Sequence, residues 1–75
     1  SVGEQVAILY CGTHALMSEV PEDKVTLFME RYLERMRALH TEDVLEPLRQ
    51  GRIDEKVTSV LESEAAFVSS HILSE

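Results

Sequence analysis

The stretch Lys24–His40, KVTLFMERYLERMRALH, decides the fold. Counted from Val25, apolar side chains recur at offsets of 3, 4, 7, 8, 11 and 14, the spacing of one face of an α-helix. Charged side chains occupy the other side, where Arg31 with Glu34 and Glu34 with Arg37 can pair across one turn. The stretch therefore predicts a helix of about four turns. Its apolar face consists of Val25, Phe28, Met29, Tyr32, Leu33, Met36 and Leu39.

Signals on either side of this helix predict its neighbours. Pro21 suits a first helical position, where its missing N–H has no partner in any case. Glu22 and Asp23 then meet the positive end of the helix dipole. Working outward in this way, we expect an all-α fold, a small bundle of about four helices. The helices are predicted at about 1–14, 21–40, 41–50 (short and kinked) and 54–73, within one domain that covers residues 1–75.

The first of these helices opens with Ser1-Val2-Gly3-Glu4, the S-x-x-E spacing of a capping box. Gly12 lies near its end, where a glycine stops a helix or admits a neighbouring backbone. The helix places Val2, Val6, Leu9 and Tyr10 on one side, with Ala7 and Cys11 close by.

The last two helices have clearer limits. Thr41 offers a capping hydroxyl for the short third helix, Pro47 is expected to kink or break it, and Gly51 ends it. Asp54 is expected to cap the fourth helix. Because an unpaired buried carboxylate is costly, Glu64 on its inner face should lie at an exposed edge or find a donor. The inward residues are predicted to be Val44, Leu45 and Leu48 in the third helix, and Val57, Val60, Leu61, Val68 and Ile72, flanked by Ala65 and Phe67, in the fourth.

Composition excludes several classes of partner. The formal net charge of -7 disfavours nucleic acid and anionic membrane surfaces, which both attract basic patches. A single cysteine excludes an internal disulfide and fits a reducing compartment. No apolar run approaches the length of a membrane span, and no signal peptide is expected. Because the first residue is Ser1, we expect a domain excised from the C-terminal part of a longer chain.

No constellation for catalysis stands out. Cys11 and His14 are three residues apart, but two ligands do not make a zinc site. His40 and His71 belong to other helices, and we interpret the cysteine as core packing and the histidines as helix-end or surface residues. The glycines form no phosphate-binding loop. The sequence thus predicts no catalytic, cofactor-binding or metal-binding residue, and a small Cys/His metalloenzyme is the least favoured alternative.

The pattern Ser1-Val2-x-Glu4-Gln5-Val6-Ala7-x-x-Tyr10-x-Gly12-Thr13 resembles the start of the C-terminal domain of the F-type ATP synthase alpha subunit. The likeness continues through Val20-Pro21-x-Asp23-Lys24-Val25 and, further on, Val44-Leu45-Glu46 and Gly51-Arg52-Ile53. The chain departs from the family pattern at four places. Gly3 replaces a usual glutamate, Ala15-Leu16 a common Gly-Tyr pair, and Pro47 a typical acid, and the spacing from His40 to Val44 is one residue longer than usual.

The resemblance implies a structural and assembly domain that packs against the beta and gamma subunits in the catalytic head. The parent complex would couple ATP synthesis and hydrolysis to ion transport, using ATP/ADP and magnesium bound in an upstream domain. It also implies a peripheral complex on the cytoplasmic face of an inner or plasma membrane, bacterial or organellar, without direct membrane insertion. We further expect weak self-association of the isolated domain. The alternative is a free-standing acidic helical module that binds partner proteins, with an accidental resemblance.

Overall fold

The computed structural model describes residues 2–74, which fold into helices joined by short connections. In chain order the segments are α1 (Val2–Thr13), a 3₁₀ turn (Glu22–Lys24), α2 (Val25–Leu39), a π turn (Thr41–Leu45), α3 (Glu46–Arg49) and α4 (Glu55–Leu73). Residues 2–74 contain no strand. The predicted all-α fold of about four helices is therefore confirmed, and the predicted ends agree closely with the observed ones.

The core is centred on α2. Phe28, Tyr32 and Met36 follow one another at intervals of four residues and are completely buried. The rings of Phe28 and Tyr32 stack with centroids 5.5 Å apart, and the Tyr32 hydroxyl donates a hydrogen bond of 3.0 Å to the Leu61 carbonyl on α4. That bond satisfies the polar end of a buried ring, as burial requires. The other buried apolar residues are Ala7, Cys11, Val20, Val44, Leu45, Leu48, Val57, Leu61, Ala65, Val68 and Ile72.

Only the middle of the predicted α2 face is fully buried. Val25, Met29 and Leu33 are half-buried, and Leu39 is 57% exposed, so the apolar face is wider than the buried row. The buried row runs straight along the i, i+4 direction, and Leu39 lies to one side of it in the last turn before the chain leaves the helix at His40.

Helix α1 presents the smaller of its two apolar sides to the core. Gly3, Ala7 and Cys11 are buried, whereas Val2 is 56% and Leu9 is 66% exposed. The apolar side described by the sequence pattern is therefore only partly buried, because Val2 and Leu9 lie outside the core. A methyl group at Gly3 would lie 2.5 Å from the Leu45 carbonyl oxygen. Helix α1 thus approaches the end of the π turn more closely than any side chain allows.

The junction after α2 is a π turn. Both the Val44 and the Leu45 N–H groups donate to the His40 carbonyl, at 3.1 and 3.0 Å. The Thr41 hydroxyl donates to the Arg37 carbonyl at 2.7 Å and makes no cap, contrary to the prediction. Pro47 lies in the first turn of α3, where its missing donor is tolerated. The kink or break predicted around Pro47 is observed as a change from π-type to α-type hydrogen bonding just before this residue.

Two of the predicted helix ends are confirmed in atomic detail. Gly51 has φ +80°, and the N–H groups of Gly51 and Arg52 donate to the carbonyls of Leu48 (3.0 Å) and Pro47 (2.8 Å). This is a Schellman motif at the end of α3. At the start of α4, the Asp54 carboxylate accepts a hydrogen bond of 2.9 Å from the Val57 N–H, the geometry of a helix cap.

The predicted capping box pairs Ser1 with Glu4, and Ser1 lies outside the described residues. The Glu4 carboxylate accepts from Arg37 on α2, with its Nη2 at 2.8 Å and its Nε at 3.1 Å. This exposed pair ties the start of α1 to the end of α2. As for membranes, none of the helices within residues 2–74 has the length and apolarity that crossing a bilayer requires.

Candidate functional site

Four charged or titratable side chains meet where α2, the π turn and α4 come together. We call Arg35, His40, Asp43 and Glu64 the ion cluster. Arg35 donates through Nε and Nη2 to the two oxygens of Glu64, with the Nη2 bond at 3.2 Å. His40 Nε2 lies 3.1 Å from Glu64 Oε1, and His40 Nδ1 lies 3.0 Å from Asp43 Oδ2. The expectation that Glu64 finds a donor is therefore confirmed.

The surroundings of Glu64 favour its ionised form. Its side chain is only 12% exposed. The hydrogen bond from Arg35 lowers the pKa of Glu64, burial works in the opposite direction, and the contact with His40 lowers the pKa further. A carboxylate held by a guanidinium fork is a strong, well-oriented interaction. Glu64 therefore serves as the anion that joins two helices.

His40 is subject to opposing influences. Burial of the ring acts to lower the pKa of His40, but the contacts with Asp43 and Glu64 outweigh it and raise the pKa overall. His40 is also the residue at which α2 ends, so a positive ring there complements the negative end of the helix dipole. The predicted placement of His40 at a helix end is confirmed, whereas its carboxylate partners were not predicted.

Cys11 lies inside the core, as predicted. Its side chain is completely buried, and burial raises the pKa of the thiol, opposed by an interaction with Tyr32. Burial likewise raises the pKa of the Tyr32 hydroxyl. A reactive cysteine needs a lowered pKa and access to solvent. Cys11 has the opposite of both properties and is a packing residue.

Cys11 and His14, which are three residues apart in the sequence, do not share a site. His14 is exposed and stacks on the Tyr10 ring with centroids 3.9 Å apart. His71 lies on α4, with its ring 4.1 Å from that of Phe67. The histidines are thus dispersed, and across residues 2–74 no group of three or more His, Cys, Asp or Glu side chains is arranged to hold a metal ion.

A shallow groove between α2 and α4 adjoins the ion cluster. The Arg35 guanidinium carbon lies 3.9 Å from the centre of the Phe67 ring, within the range of a cation–π contact. Phe67 nevertheless keeps 42% of its surface exposed, and Leu39 keeps 57%. The groove is lined by Arg31, Glu34, Arg35, Ala38, Leu39, Phe67, Val68 and His71. It therefore combines apolar and charged surface.

One further contact joins α1 to α4. The Tyr10 hydroxyl donates a hydrogen bond of 2.7 Å to the Glu62 carboxylate, and this bond, first among several causes, raises the pKa of Tyr10. The contact lies at the surface, close to the end of α1 at Thr13. It serves the packing of α1 and brings no reactive group near the ion cluster.

Comparison with known proteins identifies the family of this chain. The profile of the family described as "ATP synthase alpha/beta chain, C terminal domain" matches residues 1–67. The chain belongs to this family. The resemblance found in the sequence is thereby confirmed. The alternative of a free-standing module assumed that the resemblance was accidental, and the match to an ATP synthase C-terminal domain contradicts that assumption. All four residues of the ion cluster lie within the matched range.

Several relatives of this ATP synthase C-terminal domain carry the name "ATP synthase subunit alpha". "ATP synthase subunit alpha" of Phocaeicola vulgatus is 54% identical over 65 residues, covering 87% of this chain and 12% of the relative. The subunit of the same name from Parabacteroides distasonis is 47% identical over 70 residues, covering 93% of this chain and 13% of the relative. The chain thus spans a small part of the length of these relatives. No solved structure matches it.

Proposed function

We propose that this chain is a structural and assembly domain of the alpha subunit of a rotary F-type ATP synthase. In this role it packs against the beta and gamma subunits in the catalytic head. The observation that carries the proposal is the family match over residues 1–67, together with 54% identity to a protein named ATP synthase subunit alpha. The parent complex would couple ATP synthesis and hydrolysis to ion transport, as a peripheral assembly on the cytoplasmic face of its membrane.

The surface of the chain supports a role in packing. Several large apolar side chains stay exposed, and two of them, Leu39 and Phe67, line one groove. Contiguous apolar surface of this kind is typical of positions that a neighbouring subunit covers. The same surface favours weak self-association of the isolated chain. These exposed residues are Val2, Leu9, Leu39, Ile53, Phe67 and Leu73.

Assembly of the parent subunit tests the packing role. Leu9→Glu, at a position 66% exposed on α1, should reduce co-purification of beta and gamma subunits with a tagged parent alpha chain, because a buried unpaired charge is costly at an interface. Gln5→Glu is the matched control, since it adds the same charge at another exposed position of α1.

A second pair extends the test to α2. Leu39→Glu should weaken assembly, and Thr26→Glu, at an exposed position of the same helix, should not. The unfolding midpoint of each isolated variant separates a packing defect from a folding defect. If both leucine variants assemble as well as their controls, the proposed packing surface is wrong.

In this proposal the chain itself neither binds nor hydrolyses nucleotide, and it is not an enzyme. Holding a triphosphate requires a glycine-rich loop, a lysine near the outer phosphates and a hydroxyl for magnesium. Lys24 and Lys56 are the lysines of the chain, and neither follows glycines. The net charge of -7 also repels a polyanion. ATP, ADP and magnesium would bind to the upstream part of the parent subunit.

Calorimetric titration of the isolated chain with magnesium ATP at moderate salt tests this point. We expect no saturable heat and no release of phosphate above the buffer blank. Micromolar binding that Lys24→Ala or Lys56→Ala abolishes would overturn the view of a purely structural domain.

A further inference from the structure

Both ring nitrogens of His40 face carboxylates. Nδ1 lies 3.0 Å from one oxygen of Asp43, and Nε2 lies 3.1 Å from one oxygen of Glu64. An ionised carboxylate only accepts hydrogen bonds, and a neutral imidazole has a single N–H to donate. Both contacts are therefore satisfied together only when the ring carries both protons.

The position of the ring links it to the backbone around it. The His40 carbonyl accepts the N–H groups of Val44 and Leu45, and the bond from Leu45 has the five-residue spacing that characterises the π turn. The Leu45 carbonyl in turn lies against Gly3 of α1. A side chain that fixes His40 against α4 therefore also fixes the π turn and the surface on which α1 rests.

The charges around the ring come from three elements. Asp43 belongs to the π turn and Glu64 belongs to α4. Arg35 of α2 is a cation that also donates to Glu64. With Arg35 charged and both carboxylates ionised, Glu64 interacts with both Arg35 and the His40 ring. Asp43 interacts with the ring. The ring is 18% exposed and Glu64 is 12% exposed, so water is a poor substitute for the contact with Glu64. Asp43 is 42% exposed and keeps access to water.

We propose that His40 is a proton-dependent clamp, in which the doubly protonated ring holds the π turn against α4 and loss of one proton loosens the turn. The proposal concerns the fold of the chain itself. It holds or fails independently of the assembly role proposed above, because each readout below is made on the chain alone.

The direction of the pH effect follows from the two partners. Because the contacts with Asp43 and Glu64 outweigh burial, the pKa of His40 is raised in the fold. The stabilisation it provides is complete below the ordinary histidine pKa of about 6.5 and is lost as the pH rises through the raised value. Arg35 lowers the pKa of Glu64. The stabilisation that ionised Glu64 provides is therefore complete above about pH 4.3 and is lost as the pH falls through the lowered pKa. The clamp is therefore strongest between about pH 4.3 and 6.5.

The first test is an NMR titration of the His40 ring in the 75-residue chain. We expect its midpoint to exceed that of a histidine in an unstructured peptide. Asp43→Asn, which changes an exposed carboxylate, should lower the midpoint, and Glu64→Gln should lower it as well. A His40 midpoint at or below the peptide value, or one that neither substitution moves, would overturn the clamp.

The second test follows the π turn by hydrogen exchange of the Val44 and Leu45 amides, corrected for the intrinsic effect of pH. In the wild-type chain their protection should fall as the pH rises through the His40 midpoint. In His40→Gln it should be lower and should not depend on this ionisation, while His71→Gln, at an exposed site of α4, should keep the wild-type behaviour. Constant protection in the wild-type chain contradicts the proposal. If His40→Gln does not fold, the wild-type chain and Asp43→Asn still decide.

Discussion

Helices α1 and α2 reach the same core by opposite means. Helix α2 contributes volume, through Phe28, Tyr32 and Met36, each completely buried. Helix α1 contributes close approach, through a buried side that begins at Gly3 and continues with Ala7. Two of its larger apolar residues, Val2 and Leu9, are 56% and 66% exposed, while Val6, Ile8 and Tyr10 are partly buried against the core.

The difference shows that apolar character alone does not decide which side of a helix is buried. A row of small residues lets two backbones come together, and the packing gain of that approach competes with the burial of larger side chains. The contribution of α2 to stability therefore depends on large buried side chains. The contribution of α1 depends on small residues that leave room for a neighbouring backbone. Substitutions of opposite kinds should expose this contrast.

The largest effect is expected for loss of volume in α2. Phe28→Ala should lower the free energy of unfolding by about 3–5 kcal/mol, because it removes buried surface and leaves a cavity. Denaturant unfolding of the isolated chain measures the change. Thr26→Ala, at an exposed position of the same helix, is the control. A loss below that of an ordinary surface substitution would show that Phe28 does not anchor the core.

The addition of a single carbon in α1 should have the second largest effect. Gly3→Ala places a methyl group 2.5 Å from the Leu45 carbonyl oxygen, and overpacking of this kind costs about 1–3 kcal/mol. Gly12→Ala is the matched control, because a methyl group there meets no other atom within 4 Å. That change should stabilise the helix by up to about 1 kcal/mol. Equal effects of the two substitutions would contradict the close approach of α1.

The smallest effect is expected at the end of α1. Ala15 has φ +56°, in the left-handed region, and the Leu16 N–H donates to the Cys11 carbonyl at 2.9 Å across this turn. Ala15→Gly should relieve a conformational cost of about 1–2 kcal/mol. The greater freedom of glycine in the unfolded chain offsets about 0.4–1 kcal/mol of that gain.

Thermal unfolding should therefore show a modest rise in midpoint for Ala15→Gly. Gly51→Ala, the reverse change at φ +80°, should lower the midpoint. If both substitutions shift the midpoint in the same direction, backbone conformation is not the cause.

Local signals made the ends of the helices predictable. The Asp54 cap and the left-handed Gly51 depend on residues within one turn of the chain, and both occur where the sequence predicts them. The core row of α2 was predictable for the same reason, since its period is contained within one helix. Thr41 is the exception, because its hydroxyl has a competing acceptor in the Arg37 carbonyl.

Contacts between helices were less accessible. For α1, the apolar spacing is compatible with two adjoining sides, and only the nearness of Leu45 selects the one that contains Gly3. For the ion cluster, the need of Glu64 for a donor was predictable from its place on an inward face. The identity of the donors was not, because Arg35 is 29 residues away along the chain and α2 offers several arginines.

The buried thiol has a practical consequence. Cys11 is the only cysteine of the chain and has no exposed surface, so a water-soluble alkylating reagent reaches it only after α1 has separated from α2 and α4. The modification rate, compared with that of a short cysteine peptide, therefore counts these openings without any label or substitution. The raised pKa of the thiol also suppresses the reactive thiolate in the closed form. Alkylation of Cys11 in the native chain therefore reports how often the helices open.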